Sequence, residues 1–68
     1  MNEDNLNIEI RKFLKKVGIA SQRVIENCIY EAYKNGTIKI GDEIELEMML
    51  AIKTLQAKNI ISDKIKIE

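Results

Sequence analysis

The sequence predicts an α+β domain in which two N-terminal helices pack on a three-stranded antiparallel sheet, in the order α-α-β-β-β. Two observations indicate this fold class. Apolar residues recur at helical spacing up to about residue 35, and they then alternate at every second position. Sequential strands with short links pair antiparallel, and helices then cover the apolar face of the sheet.

Residues 5–17 form the first predicted helix. Asp4 or Asn5 is the expected N-cap. Gly18 stands where helices commonly end with a left-handed residue. The apolar residues of this segment fall on one helical stripe, which consists of Leu6, Ile10, Phe13, Leu14 and Val17.

Residues 22–35 form the second predicted helix. Ser21 is a favourable N-cap after the short turn Gly18-Ile19-Ala20-Ser21, and Asn35-Gly36 would end the helix. Cys28 lies on the apolar stripe, so we expect it to be buried and structural, as free cysteines commonly are. The stripe consists of Ile25, Cys28, Ile29 and Ala32.

The second half of the chain predicts three strands. Ile38 and Ile40 indicate a short first strand before a turn at Gly41-Asp42. A turn at 56–59 would precede a last strand through Ile61, Ile65 and Ile67. The middle strand has the clearest alternation, with apolar residues at Ile44, Leu46, Met48, Leu50 and Ile52.

A third helix at about 43–57 is the alternative for the middle strand. Asp42 and Glu45 could form a capping box, and several residues of this segment are good helix formers. The clean separation of acidic and apolar residues at period two favours the strand.

Size and composition predict one domain over residues 1–68, with residues 1–4 flexible. The net charge is zero, from 11 basic and 11 acidic residues, whereas dedicated nucleic-acid binders usually carry a basic excess. No apolar run is long enough to span a membrane. The acidic start lacks the features of a signal peptide, and the single cysteine cannot form an internal disulfide. These features favour the cytoplasm.

The sequence predicts no catalytic residue, no metal site and no cofactor. It contains no histidine, and its three glycines are isolated rather than grouped in a phosphate-binding loop. An acidic cluster is interpreted as a solvated face, because strand alternation sets its glutamates in a row rather than around a point. The cluster consists of Asp42, Glu43, Glu45 and Glu47.

Five segments carry a resemblance to known proteins: Met1-Asn2-Glu3, the run from Ile10 to Gly18, Ser21-Gln22-Arg23, Ile25-Glu26 and the closing Ile65-Lys66-Ile67-Glu68. With these segments the chain resembles a family of short bacterial proteins, about 70 residues long, whose function is unknown. The resemblance implies an identity but no activity or site residue. The family tends to have glycines near Thr54 and Gln56 and an acidic residue at Val24, and this chain has neither.

The leading functional hypothesis is a non-enzymatic protein-interaction module, which includes self-association as a homodimer. An isoleucine-rich last strand would lie at a sheet edge, and Met49 and Ala51 interrupt the polar face of the preceding strand. The alternative is nucleic-acid binding by a helix-turn-helix-like module, with phosphates contacted by a basic stripe. The stripe consists of Arg11, Lys12, Lys15 and Lys16, with Arg23 beyond the turn.

Overall fold

The computed structural model describes all residues from 1 to 68 and contains one long helix followed by a β-hairpin. Helix α1 spans Glu3–Lys34, strand β1 spans Glu43–Ile52, and strand β2 spans Ala57–Lys66. A single 3-10 turn, Lys53–Leu55, connects the strands. The chain divides into two compact units, Met1–Thr37 with the helix and Ile38–Glu68 with the hairpin. The organisation as one domain stays a prediction.

The prediction of two N-terminal helices is wrong, because α1 continues through Gly18 and Ser21. No proline interrupts the segment. Gly18 costs about 1 kcal/mol relative to alanine inside a helix, but a second helix would need a new and costly nucleus. Val17 and Ile25 are eight residues apart, an offset of about 80°. Both predicted stripes therefore lie on one side of the same helix.

The ends of α1 are fixed by local hydrogen bonds. Asn2, rather than Asp4 or Asn5, is the N-cap, and its Oδ1 accepts from the Asn5 N–H at 3.0 Å. At the other end Gly36 has a φ of 76°, and Thr37 N–H donates to the Ala32 carbonyl at 2.9 Å. This Schellman motif confirms the predicted helix end at Asn35-Gly36.

The segment around Ile38 and Ile40 forms turns, so the predicted first strand is wrong and the sheet has two strands. Gly36 and Gly41, both at positive φ, enclose only four residues. Within this short segment the Asp42 carboxylate accepts from the Lys39 N–H at 3.0 Å and closes a turn. An extended segment with a ladder partner does not fit between these constraints.

Strand β1 confirms the period-two prediction, and the alternative of a third helix over 43–57 is wrong. The hairpin register runs from Glu43 opposite Lys66 to Ile52 opposite Ala57. The connecting turn precedes the predicted turn at 56–59, and Gln56 closes it with a φ of 52°. β2 therefore begins at Ala57.

The open end of the hairpin is tied by two further backbone bonds. Gly41 N–H donates to the Ile67 carbonyl at 2.7 Å, and Ile67 N–H donates to the Asp42 carbonyl at 2.9 Å. The ladder thus continues for one residue beyond β2, to Ile67, whereas the prediction extended the last strand to the end of the sequence.

No side chain of the chain is buried. Domains shorter than about 40 residues usually need disulfides, metals or oligomerisation to be stable. Both units are shorter than that. The single cysteine excludes an internal disulfide. The helix and the hairpin each form one layer, and neither contains a core of its own.

We expect Gly18→Ala to stabilise the protein by about 0.5–1 kcal/mol, because Gly18 is helical and alanine is the better helix former. A Cβ at Gly18 would meet no atom within 4 Å. Gly36→Ala is the matched control and should destabilise, since Gly36 has a φ of 76°. Urea unfolding followed by circular dichroism at one protein concentration measures both. A destabilising Gly18→Ala would contradict a continuous helix.

We expect Gln56→Gly to stabilise the hairpin by up to about 1 kcal/mol, because a left-handed backbone strains any residue with a Cβ. Thr54→Gly lies in the same turn at negative φ and should destabilise through the added freedom of the unfolded chain. Thermal unfolding of the two variants and the wild type gives the comparison. Equal effects at both positions would show that the backbone at Gln56 is not the source.

Candidate protein-binding surfaces

The antiparallel register sorts the hairpin side chains into two different faces, because directly opposite residues share a face. On one face Ile44 lies opposite Ile65, and Met48 lies opposite Ile61. We call this surface the apolar hairpin face. Its large apolar members are Ile44, Leu46, Met48, Leu50, Ile52, Ile61 and Ile65, with Ala57 at the turn.

The other surface, the charged hairpin face, pairs opposite charges across the strands. Glu43 lies opposite Lys66 and Glu45 lies opposite Lys64, while Glu47 lies opposite Ser62. Opposite charges at directly opposed positions stabilise a sheet by roughly 0.2–1 kcal/mol per pair. The register therefore agrees with both the apolar and the charged pattern.

Three apolar side chains interrupt the charged hairpin face. Met49 lies opposite Ile60, and both are more than half exposed, at 59% and 54%, while Ala51 lies opposite Lys58. The prediction that Met49 and Ala51 break the polar face is confirmed by this placement. The pairing of Met49 with Ile60 required knowledge of the register.

Two polar residues on the apolar hairpin face were missed by the sequence analysis. Asp63 lies opposite Leu46, and Asn59 lies opposite Leu50. Asp63 Oδ1 accepts from the Lys64 N–H at 2.7 Å. The alternation of Asn59, Ile61, Asp63 and Ile65 at odd positions is a signal for this face, but the predicted turn at 56–59 includes Asn59.

Both strands are sheet edges, because the sheet consists of β1 and β2 alone. The expected edge position of the last strand holds for β2, and β1 is equally an edge. Neither strand contains proline, one of the devices with which proteins protect an edge from pairing.

The stripe of α1 is exposed in its N-terminal part and largely half-buried from Val17 onward. Phe13 and Leu14 are exposed at 54% and 55%. Cys28 is also exposed, so its predicted burial is wrong. Four half-buried residues follow one helical row, Val17, Ser21, Ile25 and Ile29, and Glu26 is half-buried outside this row.

The predicted basic stripe is exposed on α1, and the helix-turn-helix arrangement is wrong, because α1 has no break. Lys12, Lys16 and Arg23 lie within about 40° of one another on the continuous helix. Lys12 Nζ is 3.7 Å from Glu9 Oε1, and Gln22 donates to Glu26 at 2.7 Å. The whole set of predicted contact residues, Arg11, Lys12, Lys15, Lys16 and Arg23, spans about 140° of the helix surface.

The acidic cluster consists of one residue in a turn and a row of three glutamates along β1. Asp42 caps the turn through its bond from the Lys39 N–H, and the three glutamates line β1. No three histidine, cysteine, aspartate or glutamate side chains converge as a group that could hold a metal ion.

The concave surfaces of both units are shallow. One depression follows the middle of the hairpin ladder and is lined by Glu45, Leu46, Glu47, Ser62, Asp63 and Lys64. The other lies on α1 beside Ile19, Gln22, Arg23 and Glu26. Both are open stretches of the surface of one unit rather than enclosed cavities. Separately, α1 lacks an apolar stretch of the length needed to cross a membrane.

Comparison with protein-family models gives one match, a family of unknown function (DUF6494), over residues 1–68. The chain therefore belongs to this family, which confirms the resemblance to short proteins of unknown function. No curated protein and no solved structure matches the chain.

Proposed function

We propose that this member of the DUF6494 family is a non-enzymatic binding module that associates with another polypeptide through the apolar hairpin face. The observation that carries the proposal is the concentration of large aliphatic side chains on one side of a single-layered hairpin. Met48, Ile52 and Ile61 are exposed at 40%, 43% and 57%. Contiguous apolar surface of this kind usually marks an interaction site.

The energetics favour association over exposure. Full burial of an Ile, Leu or Met side chain stabilises by about 1.5–3 kcal/mol, so covering a half-exposed one contributes about half of that. A two-stranded hairpin is marginally stable in water and needs a further strand or a helix against its apolar face. Binding would therefore stabilise the fold as well as the complex.

The charges on the charged hairpin face support the choice of the apolar hairpin face as the binding surface. Glu43 and Glu45 are matched by lysines of β2, so the charged part of this face is satisfied in water, and Met49 with Ile60 is its one large apolar pair. The apolar hairpin face has only Asp63 and Asn59 as polar members. The free thiol of Cys28 suits a reducing compartment, and we place the module in the cytoplasm as part of the proposal.

Ile61→Lys should abolish association, because it places a charge at the centre of the apolar hairpin face. Ile60→Lys is a matched control: it makes the same change at the neighbouring position on the charged face, and the two isoleucines are exposed at 57% and 54%. Light scattering after size exclusion, with pull-downs from cell extract, measures self-association and partner binding. Circular dichroism of each variant, and of Met48→Gln, separates lost binding from lost folding.

A wild-type protein that stays monomeric at high concentration and captures nothing would overturn the proposal. Equal loss of association in Ile60→Lys and Ile61→Lys would also overturn it, because the two faces would then be equivalent.

Nucleic-acid binding is the second candidate, and the alignment of Arg23 with Lys12 and Lys16 on one continuous helix favours it. These cations lie along the helix side with Lys15 and Arg11 beside them, an arrangement that can follow a phosphate backbone. The zero net charge and the nearby Glu26 weaken the candidate. A continuous helix would contact phosphates without the helix-turn-helix arrangement that the sequence predicts.

On this candidate, Lys15→Glu/Lys16→Glu should weaken binding to fluorescent DNA or RNA by about tenfold or more, since phosphate contacts dominate such affinity. Lys53→Glu/Lys58→Glu carries the same change in net charge on the hairpin and is the control. Fluorescence anisotropy at several salt concentrations gives the affinities. Absence of binding by the wild type at low salt, or an equal effect of the control, would remove the candidate.

A further inference from the structure

We propose that the partner of the hairpin is a second copy of this chain, whose β1 pairs antiparallel with β1 of the first copy around a two-fold axis at Met48. The inference rests on the proposed function and specifies its partner. It joins two hairpins into one four-stranded sheet with a continuous apolar face.

The first argument is that a sheet edge is completed only by another strand. β1 is a ten-residue strand whose outer edge contains no proline, and the chain has no third strand to cover it. A two-stranded hairpin is stable in water only with a further strand or with a helix against its apolar face. Within residues 1–68 no strand pairs with the outer edge of β1, and β1 of a second copy is able to fill that position.

The second argument is the register that the faces allow. Directly opposed residues in an antiparallel pair share a face, so even-numbered residues of β1 must oppose even-numbered ones. In two such registers, nearly the whole of β1 overlaps with β1 of the partner. In one of them Glu47 lies opposite the partner's Glu47, and in the other Met48 lies opposite the partner's Met48.

Charge decides between these registers, because like charges directly opposed destabilise a sheet. In the Met48 register Glu45 lies opposite the partner's Ala51, and Glu47 lies opposite the partner's Met49. Glu43 points toward the partner's Lys53 at the strand end. The two Glu47 carboxylates are then diagonal, at about 7–8 Å, rather than directly opposed.

The apolar hairpin face gains contacts in the same register. Leu46 lies opposite the partner's Leu50, and Ile44 lies opposite the partner's Ile52. The central pair is Met48 with the partner's Met48. Every large apolar residue of β1 on this face therefore meets another one across the new pairing.

Pairing through β2 is less favourable. In either register that overlaps the whole of β2 with itself, Lys58 opposes a lysine, Lys64 or Lys66 of the partner. Pairing of β1 with the partner's β2 would match charges, but this head-to-tail contact does not close and would extend into a filament. Self-pairing of β1 is the contact that satisfies charge and closes as a dimer.

Disulfide trapping in the Cys28→Ser background tests the register. Glu45→Cys and Ala51→Cys are made in separate chains, refolded together and oxidised mildly. In the Met48 register these positions are directly opposed, with Cα atoms about 4.5–5.5 Å apart, which a disulfide can bridge. Each variant alone should stay uncrosslinked, because its own copies would be separated by six residues along the strand, about 20 Å.

Intact-mass spectrometry should find the mixed Glu45→Cys with Ala51→Cys dimer as the main product, and light scattering should give the mass of a dimer. Met48→Cys, which crosslinks to its own copy at the axis, supplies a second reading if either variant folds poorly. Crosslinking of the single variants alone would indicate another register and overturn the inference.

The outcomes separate this inference from the proposed function. A dimer that dissociates in Ile61→Lys but forms no mixed crosslink would overturn the β1 pairing and leave the binding module standing. Growth beyond a dimer would point to head-to-tail pairing and also overturn it. A monomer that binds a different protein would overturn self-pairing alone, whereas a monomer that binds nothing would overturn both.

Discussion

The antiparallel ladder between β1 and β2 is the interaction on which the surface chemistry of this chain depends. A slip of one residue would move every side chain of a strand to the other face. The register is held at one end by the turn that Gln56 closes and at the other by the bonds of Gly41 and Asp42 with Ile67. Within it, aliphatic residues meet on one side and glutamates meet lysines on the other. Local backbone geometry thereby produces one mainly apolar face and one mainly charged face.

The sequence predicted β1 well, because strict alternation over many residues is a signal with few competing explanations. It also predicted the helix end at Gly36, where a left-handed residue is required. The predicted helix break at Gly18 was wrong, because the signals for it are local and α1 continues through that residue. Glycine and serine are local signals for an end, but both are tolerated inside a helix whose apolar periodicity continues past them. The stripe on either side of Gly18 keeps one direction, and that continuity outweighed the local signals.

The candidate site was less predictable than the strands. Which residues of β2 share a face with Met48 depends on the length of the turn, and the sequence places that turn within a few residues only. Asp63 therefore could not be assigned to the apolar hairpin face. The burial of Cys28 was mispredicted because it was inferred from its place on an apolar stripe and from the packing preference of free cysteine, whereas no residue of α1 is buried. The three-stranded sheet was mispredicted because Ile38 and Ile40 are confined between two glycines at positive φ.

The glutamates of β1 affect pairing at the outer edge of this strand in two ways. A row of like charges discourages pairing at an exposed edge, which would make β1 a protected edge. The protection is selective, however, because it depends on register. Consider the registers in which even-numbered residues of β1 oppose even-numbered residues of the partner's β1. If the two-fold axis lies at Glu47 or nearer the start of β1, at least one glutamate lies opposite another, whereas the register centred on Met48 opposes none. Shifts the other way keep the glutamates apart but lose apolar pairs at each step. Glu43, Glu45 and Glu47 thus disfavour irregular pairing at the edge of β1 and leave one self-pairing register favourable, the register of the proposed dimer.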